Sequence, residues 1–360
     1  MDAPLGGEEP MISSPVNRRI FLQRAFAFSA AASLGGCGRG ASVVALTQNA
    51  PIAPATTQSG RTTEILMVGD WGWSGNDSGQ SAVAIAMQLY VARQGLTVDA
   101  LLFLGDNLYD DLPGGVTSSL WQTKFEQMYP QSVFNCPAYA VLGNHDYQNA
   151  PQSKVEAELA YAATGTSRWT MPSPSYTFKL PTQNPLVTFL ALDSNTPDEP
   201  ANPPPPNSSF FTPTEEQASA QLQWLSQQLQ QPLTTPFLVV MAHHPVYSDG
   251  TFGDNGSLVK NLDPMLRQHG VHLYLAGHNH DLEHLEFAGH PTSFVGSGGG
   301  GAWLTAGDSA PARGPYCKES HGFTHLTIGP DLMTLKHIDE AGTVVHAFTK
   351  TPSGTVTILS

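Results

Sequence analysis

The chain has 360 residues, 16 Lys+Arg against 30 Asp+Glu, and a formal net charge of −14 with histidine neutral. At 40% hydrophobic it holds enough for a real core, which excludes a disordered or fibrous chain, and its length bounds it to one large domain with a tail or two domains. So negative a chain is no general nucleic-acid binder, because no basic surface can release counterions from a phosphate backbone, and three cysteines are too few for a disulfide scaffold.

Asn17-Arg18-Arg19-Ile20-Phe21-Leu22-Gln23 leads into a mostly apolar run that ends at Leu34. Paired arginines followed by Phe21-Leu22 resemble a bacterial twin-arginine export signal. The run, interrupted by Arg24, is too short to span a membrane. Leu34-Gly35-Gly36-Cys37 resembles a lipobox in which Cys37 takes a lipid; a plain signal peptide cut near these small residues fits the same letters. Residues 1–36 are therefore expected to be an export signal and 37–62, rich in Ala, Ser, Thr, Gln, Gly and Pro, a flexible tether. The product is expected to be periplasmic or envelope-associated, with Cys37 as its lipid anchor. An oxidising envelope would permit Cys136 and Cys317 to pair.

From Thr63 onward, short apolar runs stop abruptly at polar clusters. Residues 65–68 precede Gly69-Asp70, 101–104 precede Gly105-Asp106, and 139–142 precede Gly143-Asn144-His145-Asp146. Residues 187–192 precede Asp193, 237–242 precede His243, and 271–276 precede Gly277-His278-Asn279-His280. Continuous apolar runs bounded by turn residues suit strands buried on both faces. Helix-like segments lie between them at 81–93, 118–129, 214–229 and 257–268, so the fold class is α/β with inner sheets covered by helices. Residues 197–213, with Pro203 to Pro206, read as a long irregular loop. Segments 325–328, 333–338 and 343–349 alternate like strands and are expected to form a second sheet packed on the first. One catalytic domain over 63–350 then leaves 351–360 as a C-terminal tail.

Singly, each polar cluster is ordinary turn chemistry. Together, successive strand ends present Asp, Asp plus Tyr, Asn plus His, His, and His-x-His, all O and N donors suited to hard or borderline metals. Ligand sites in such folds gather at the carboxyl ends of strands, and His278 and His280 can serve two ions a few Å apart.

Gly69-Asp70-Trp71-Gly72, Gly105-Asp106-Asn107-Leu108-Tyr109, Gly143-Asn144-His145-Asp146, Val240-Met241-Ala242-His243 and Gly277-His278-Asn279-His280 resemble the five motifs of the purple acid phosphatases, most closely the small tartrate-resistant type. Ser167-Arg168-Trp169-Thr170-Met171-Pro172 and His243-His244-Pro245-Val246-Tyr247-Ser248 add to the likeness, which covers about residues 63–349. The resemblance implies two packed mixed β-sheets flanked by helices, a four-layer metallophosphoesterase sandwich. It implies that Asp70, Tyr109 and His280 hold an Fe(III), that Asp106 bridges, and that Asn144, His243 and His278 hold a second ion, Fe(II), Zn(II) or Mn(II). His145 is then the acid or substrate-orienting group. Such a centre would hydrolyse small phosphate monoesters by attack of a metal-bound hydroxide. The ions bring about +5; two carboxylates, a tyrosinate and a hydroxide return about −4, so the site attracts a phosphate dianion on an acidic protein. A trivalent ion keeps that hydroxide at acidic pH, which predicts an acid optimum.

The tartrate-resistant type carries a histidine in the loop after Pro-Val-aromatic-Ser; here Asp249-Gly250-Thr251-Phe252-Gly253-Asp254-Asn255-Gly256 has none, so leaving-group protonation rests more heavily on His145. Phe252 either stacks on an aromatic leaving group or packs inward, and Trp71 and Trp73 pose the same choice. His244, next to a ligand, would be turned away by strand alternation. A dinuclear metallophosphodiesterase is the nearest alternative, but Gly72 stands where many such enzymes carry a ligating histidine, and Tyr109 follows Asp106 by three residues. A degenerate binding protein would have lost ligands, and all seven are present.

Overall fold

The computed structural model describes residues 61–75, 78–148, 151–195, 213–304 and 313–359. The expectations for the export signal, the tether, Arg18, Arg19 and Cys37, and nearly all of the 197–213 loop, lie outside these residues. Among the described residues no helix is long and apolar enough to cross a membrane.

Strands β1 (Thr63–Val68), β2 (Ala100–Phe103), β3 (Ala138–Ala140) and β4 (Trp169–Thr170) pair in parallel and form half of an eight-stranded sheet. The second sheet has seven strands: β5 (Tyr176–Leu180), β6 (Val187–Ala191), β7 (Phe237–Met241), β8 (Leu273–Ala276), β9 (Leu282–Leu285), β10 (Ser293–Ser297) and β11 (Tyr316–Lys318). Its central strands are continuously apolar because each face meets a different core. Phe189, Val239, Met241, Leu273 and Leu275 join the larger core shared with the first sheet, and Leu190, Leu238, Val240, Tyr274 and Ala276 join a second core beneath helices. The result is the expected sandwich of two mixed sheets with helices outside.

The C-terminal strands depart from expectation. β12 (Gly322–Ile328), β13 (Met333–Asp339) and β14 (Val344–Lys350) extend the first sheet, with β12 antiparallel to β1 from Thr63↔Ile328 onward. The open edge of β1 takes them as partners, and the second sheet is built from the middle of the chain. The expected tail also contributes: β15 (Val356–Ile358) pairs with β14 after a turn in which Gly354 adopts φ +88°.

Helix α1 (Gln80–Gln94) buries Val83, Ala84, Met87, Tyr90 and Val91, and stops at Gly95, whose left-handed conformation only glycine takes cheaply. Residues 118–129 do not form an α-helix; a 3₁₀ turn (Gly115–Thr117) leads to a wide π-turn (Trp121–Glu126). Trp121 and Phe125 both pack on Trp169, and Trp121 Nε1 donates to the Gly115 carbonyl, which holds that turn open. Helix α2 (Pro151–Ala163) was not expected, whereas α3 (Glu215–Leu229) was, with a Thr214/Gln217 capping box. The 257–268 helix is broken into α4 (Gly256–Asn261) and α5 (Asp263–Gln268), since Pro264 supplies no amide proton.

Cys136 and Cys317 do not pair. Both are free thiols, one just before β3 in the first sheet and the other on β11 at the edge of the second.

Candidate metal centre

The loops after β1, β2, β3, β7 and β8 bring together all seven expected donors and His145. Backbone bonds tie the loops together: Asp70 N–H to the Gly105 carbonyl (3.0 Å) at the end of the first sheet, Gly277 N–H to that of His243 (2.9 Å) at the end of the second, and Gly69 N–H to that of Ser297 (2.7 Å) from one sheet to the other. The approach is close enough that a Cβ on Gly143 would lie 2.2 Å from Asp106 Oδ1, and one on Gly277 2.5 Å from Asp70 Oδ2. Asp70, Asp106 and His278 all sit at positive φ (58°, 50° and 70°). Each costs on the order of 1–3 kcal/mol and persists only where surrounding contacts impose it, a pattern typical of functional sites.

The donor atoms fall into two groups that share Asp106. In the first, Tyr109 OH lies 3.1 Å from Asp106 Oδ2 and 3.3 Å from His280 Nε2, and His280 Nε2 lies 3.4 Å from Asp70 Oδ1. In the second, Asn144 Oδ1 lies 3.1 Å from both His243 Nε2 and His278 Nδ1, and His243 Nε2 lies 3.4 Å from Asp106 Oδ1. Ligands about 2.1 Å from a shared ion and at right angles stand about 3 Å apart, so both groups have the span of ion cages. His243 Nδ1 gives its proton to the Leu104 carbonyl (2.9 Å) and His280 Nδ1 to that of Trp303, which leaves each Nε2 lone pair facing inward. Asp70 Oδ1 is fully buried, makes no hydrogen bond and faces the inward nitrogen of His280 at 3.4 Å, two acceptors that a cation between them would satisfy. The residues therefore fit two metal ions.

Electrostatics agree. Burial alone would raise Asp106, but His243 and His145 outweigh it and hold the carboxyl well below its usual range. Burial alone would lower His243, yet Asp106 and Asp70 push it up to about 10, so in the bare protein a proton occupies the place of a cation. Burial and the same carboxylates push Tyr109 well above 10, and only a cation at its oxygen would offset them.

His145 stacks on Tyr109 (4.1 Å between ring centres), and its backbone N–H donates to Asp106 Oδ1 at 2.8 Å. The alternation expected to turn His244 away does not reach it, because β7 ends at Met241; its ring lies 4.4 Å from that of His278. Ser194 Oγ accepts the amide protons of His243 and His244, so it gives its own proton to His244 Nδ1 (2.9 Å). The proton of a neutral His244 then sits on Nε2, and the ring has no lone pair for an ion. Trp71 is fully buried among Phe103, Tyr129 and Trp169, a core residue. Trp73 stands edge-on to Tyr109 and Trp303, at the rim. Phe252 is 36% exposed and packs on His278 at 4.6 Å, so it is not an inward core residue.

Sequence reasoning missed the groups that act on backbone. Buried Asp146, quoted within a motif but given no role, accepts the amide protons of Gly143, Leu108 and Asn107 and clamps two ligand loops together. Buried Lys154 on α2 donates to the carbonyls of Leu108 and His145. Trp303 supports His280 through its carbonyl.

Residues 63–282 match the family model for calcineurin-like phosphoesterases. Tartrate-resistant acid phosphatase type 5 of Mus musculus is 30% identical, over 81% of this chain and 91% of its own length. The Homo sapiens protein of that name is 31% identical (77% and 87%), and purple acid phosphatase 7 of Arabidopsis thaliana 30% (81% and 87%). The chain belongs to the calcineurin-like phosphoesterases, on their purple acid phosphatase branch. As a phosphoesterase of this branch it is a metal-binding hydrolase of phosphate esters. Two solved structures share the fold: a purple acid phosphatase from yellow lupin seeds (TM-score 0.60, 16% identity, 81% of this chain and 54% of that one), and GAP50, described as the anchor in the inner membrane complex of Plasmodium (TM-score 0.64, 20% identity, 79% and 87%).

Proposed function

We propose that this phosphoesterase is an acid phosphatase acting on small phosphate monoesters at a dinuclear Fe(III)–M(II) centre, with M being Fe, Zn or Mn. The observation that carries the reading is Asp106, which offers one oxygen to each donor group, beside the unspent Oδ1 of Asp70. Asp70, Tyr109 and His280 would hold the trivalent ion, and Asn144, His243 and His278 the divalent one. When bound, the ions supply Lewis acidity and an activated water. The chain's own residues do the rest. Asn144, a neutral amide where a carboxylate could stand, keeps the site's charge positive toward a phosphate dianion. Asp146 and Lys154 fix the loops that carry the donors. His145 Nδ1 faces Gln148 Oε1, an acceptor, so Nε2 is the atom that passes a proton to the leaving alkoxide.

Sequence pattern alone supports two more parts of the reading: export through the Arg18-Arg19 signal and anchoring to the envelope through a lipid on Cys37. The acidic surface disfavours nucleic acid as a partner. Assaying the iron-loaded protein on a simple monoester and its diester across pH tests the chemistry. Monoester turnover with an acid optimum is expected; preferred diester turnover, or an alkaline optimum, contradicts it.

A further inference from the structure

The three ligand histidines are not supported alike. His243 and His280 each hand their outer nitrogen's proton to a backbone carbonyl, the usual brace for a metal-ligating imidazole. His278 has no such brace among the described residues. Its Nδ1 faces Asn144 Oδ1 and His243 Nε2, no side chain or carbonyl there meets its Nε2, and its backbone is strained at φ 70°.

Packing holds the ring instead. Phe252 lies 4.6 Å from it at a 37° tilt and His244 4.4 Å at 49°. Both are themselves fixed. Ser194 Oγ binds His244 at its amide and at Nδ1. The Phe252 amide donates to Oδ1 of Asn279, the residue between His278 and His280, at 3.0 Å. Arg313 staples the Phe252 loop, donating from Nε to Asp249 (2.6 Å) and from its terminal nitrogens to Asp254 (2.7 Å) and the Ser248 carbonyl (2.7 Å). So many contacts on a loop whose aromatic ring is one-third exposed indicate that the ring's place matters.

We propose that Phe252 and His244 are positioning residues for the second ion, gripping the His278 ring so that Nδ1 stays turned toward Asn144 and His243. The proposal rests on the dinuclear reading above.

The test uses the metal-loaded protein, challenged with a chelator while each metal is counted over time. Loss of a ligand's support typically costs 10–100-fold in metal affinity. Phe252→Ala is expected to shed the second ion about 10-fold faster than the parent while the first stays. Phe252→Trp and His244→Phe, which keep a ring beside His278, are expected to hold both ions nearly as the parent does, and His244→Ala to behave like Phe252→Ala. Because Phe252 is a surface residue, its pair of variants decides the matter even if a His244 variant fails to fold. Phe252→Ala that keeps the second ion as long as the parent overturns the proposal and leaves the dinuclear reading standing. A parent that binds fewer than two ions overturns both.

Discussion

Two groups of buried histidines in this molecule look alike by burial and differ in what their nitrogens face. Between the sheets, His284 Nδ1 meets His346 Nε2 (2.9 Å), His284 Nε2 meets Glu286 (2.8 Å), and His337 bridges Thr324 Oγ1 (2.8 Å) and the Glu283 carbonyl (3.0 Å). Their rings stack on Phe348 and Tyr316, and all three lie on paired strands, with none of them at positive φ. At the centre the inward nitrogens converge on one another and on carboxylates, one carboxylate oxygen makes no hydrogen bond, and three residues are strained. A buried histidine is thus no sign of a site. Unspent acceptors held in place against backbone strain are.

Substitutions can break that contrast at several points. Asp106→Ala should have the largest effect: loss of at least one ion by metal analysis and a fall in kcat beyond about 10³-fold, because both donor groups lose a member. The same assays on His337→Gln should show metal content and turnover close to the parent. His145→Ala should lower kcat by about 10²-fold with both ions retained; if it strips the metals, its role is structural.

The inter-sheet group should declare itself through stability. Burial, His346 and His284 depress the His337 pKa from 6.5 to about 3. Below pH 6.5 the unfolded chain therefore binds a proton that the folded one refuses, and stability falls as pH drops through the window from 6.5 toward 3. At pH 5 the loss is about 2 kcal/mol for this residue. Denaturant midpoints measured at pH 7 and pH 5 should differ less for His337→Gln than for the parent; an equal difference would remove the assignment.

Much of the centre was legible in the sequence because its donors are side chains at the ends of unbroken apolar strands, as in 65–68 followed by Gly69-Asp70. Sheet membership was not legible. The alternation in 325–349 identifies strands, but nothing in it says that β12 pairs with β1. The π-turn at Trp121 depends on tertiary contact with Trp169, which no local spacing encodes. Asp146, Lys154, Ser194 and Trp303 escaped because they work through amide protons and carbonyls, and a backbone group leaves no mark in the residue letters.

The proposed chemistry turns on a trivalent iron bound to the Tyr109 oxygen. A visible absorption spectrum of the purified protein and of Tyr109→Phe, each with metal analysis, tests it most directly. A purple parent that contains iron is expected, with a Tyr109→Phe variant that keeps the iron and loses the colour. A colourless parent that contains only zinc would contradict it.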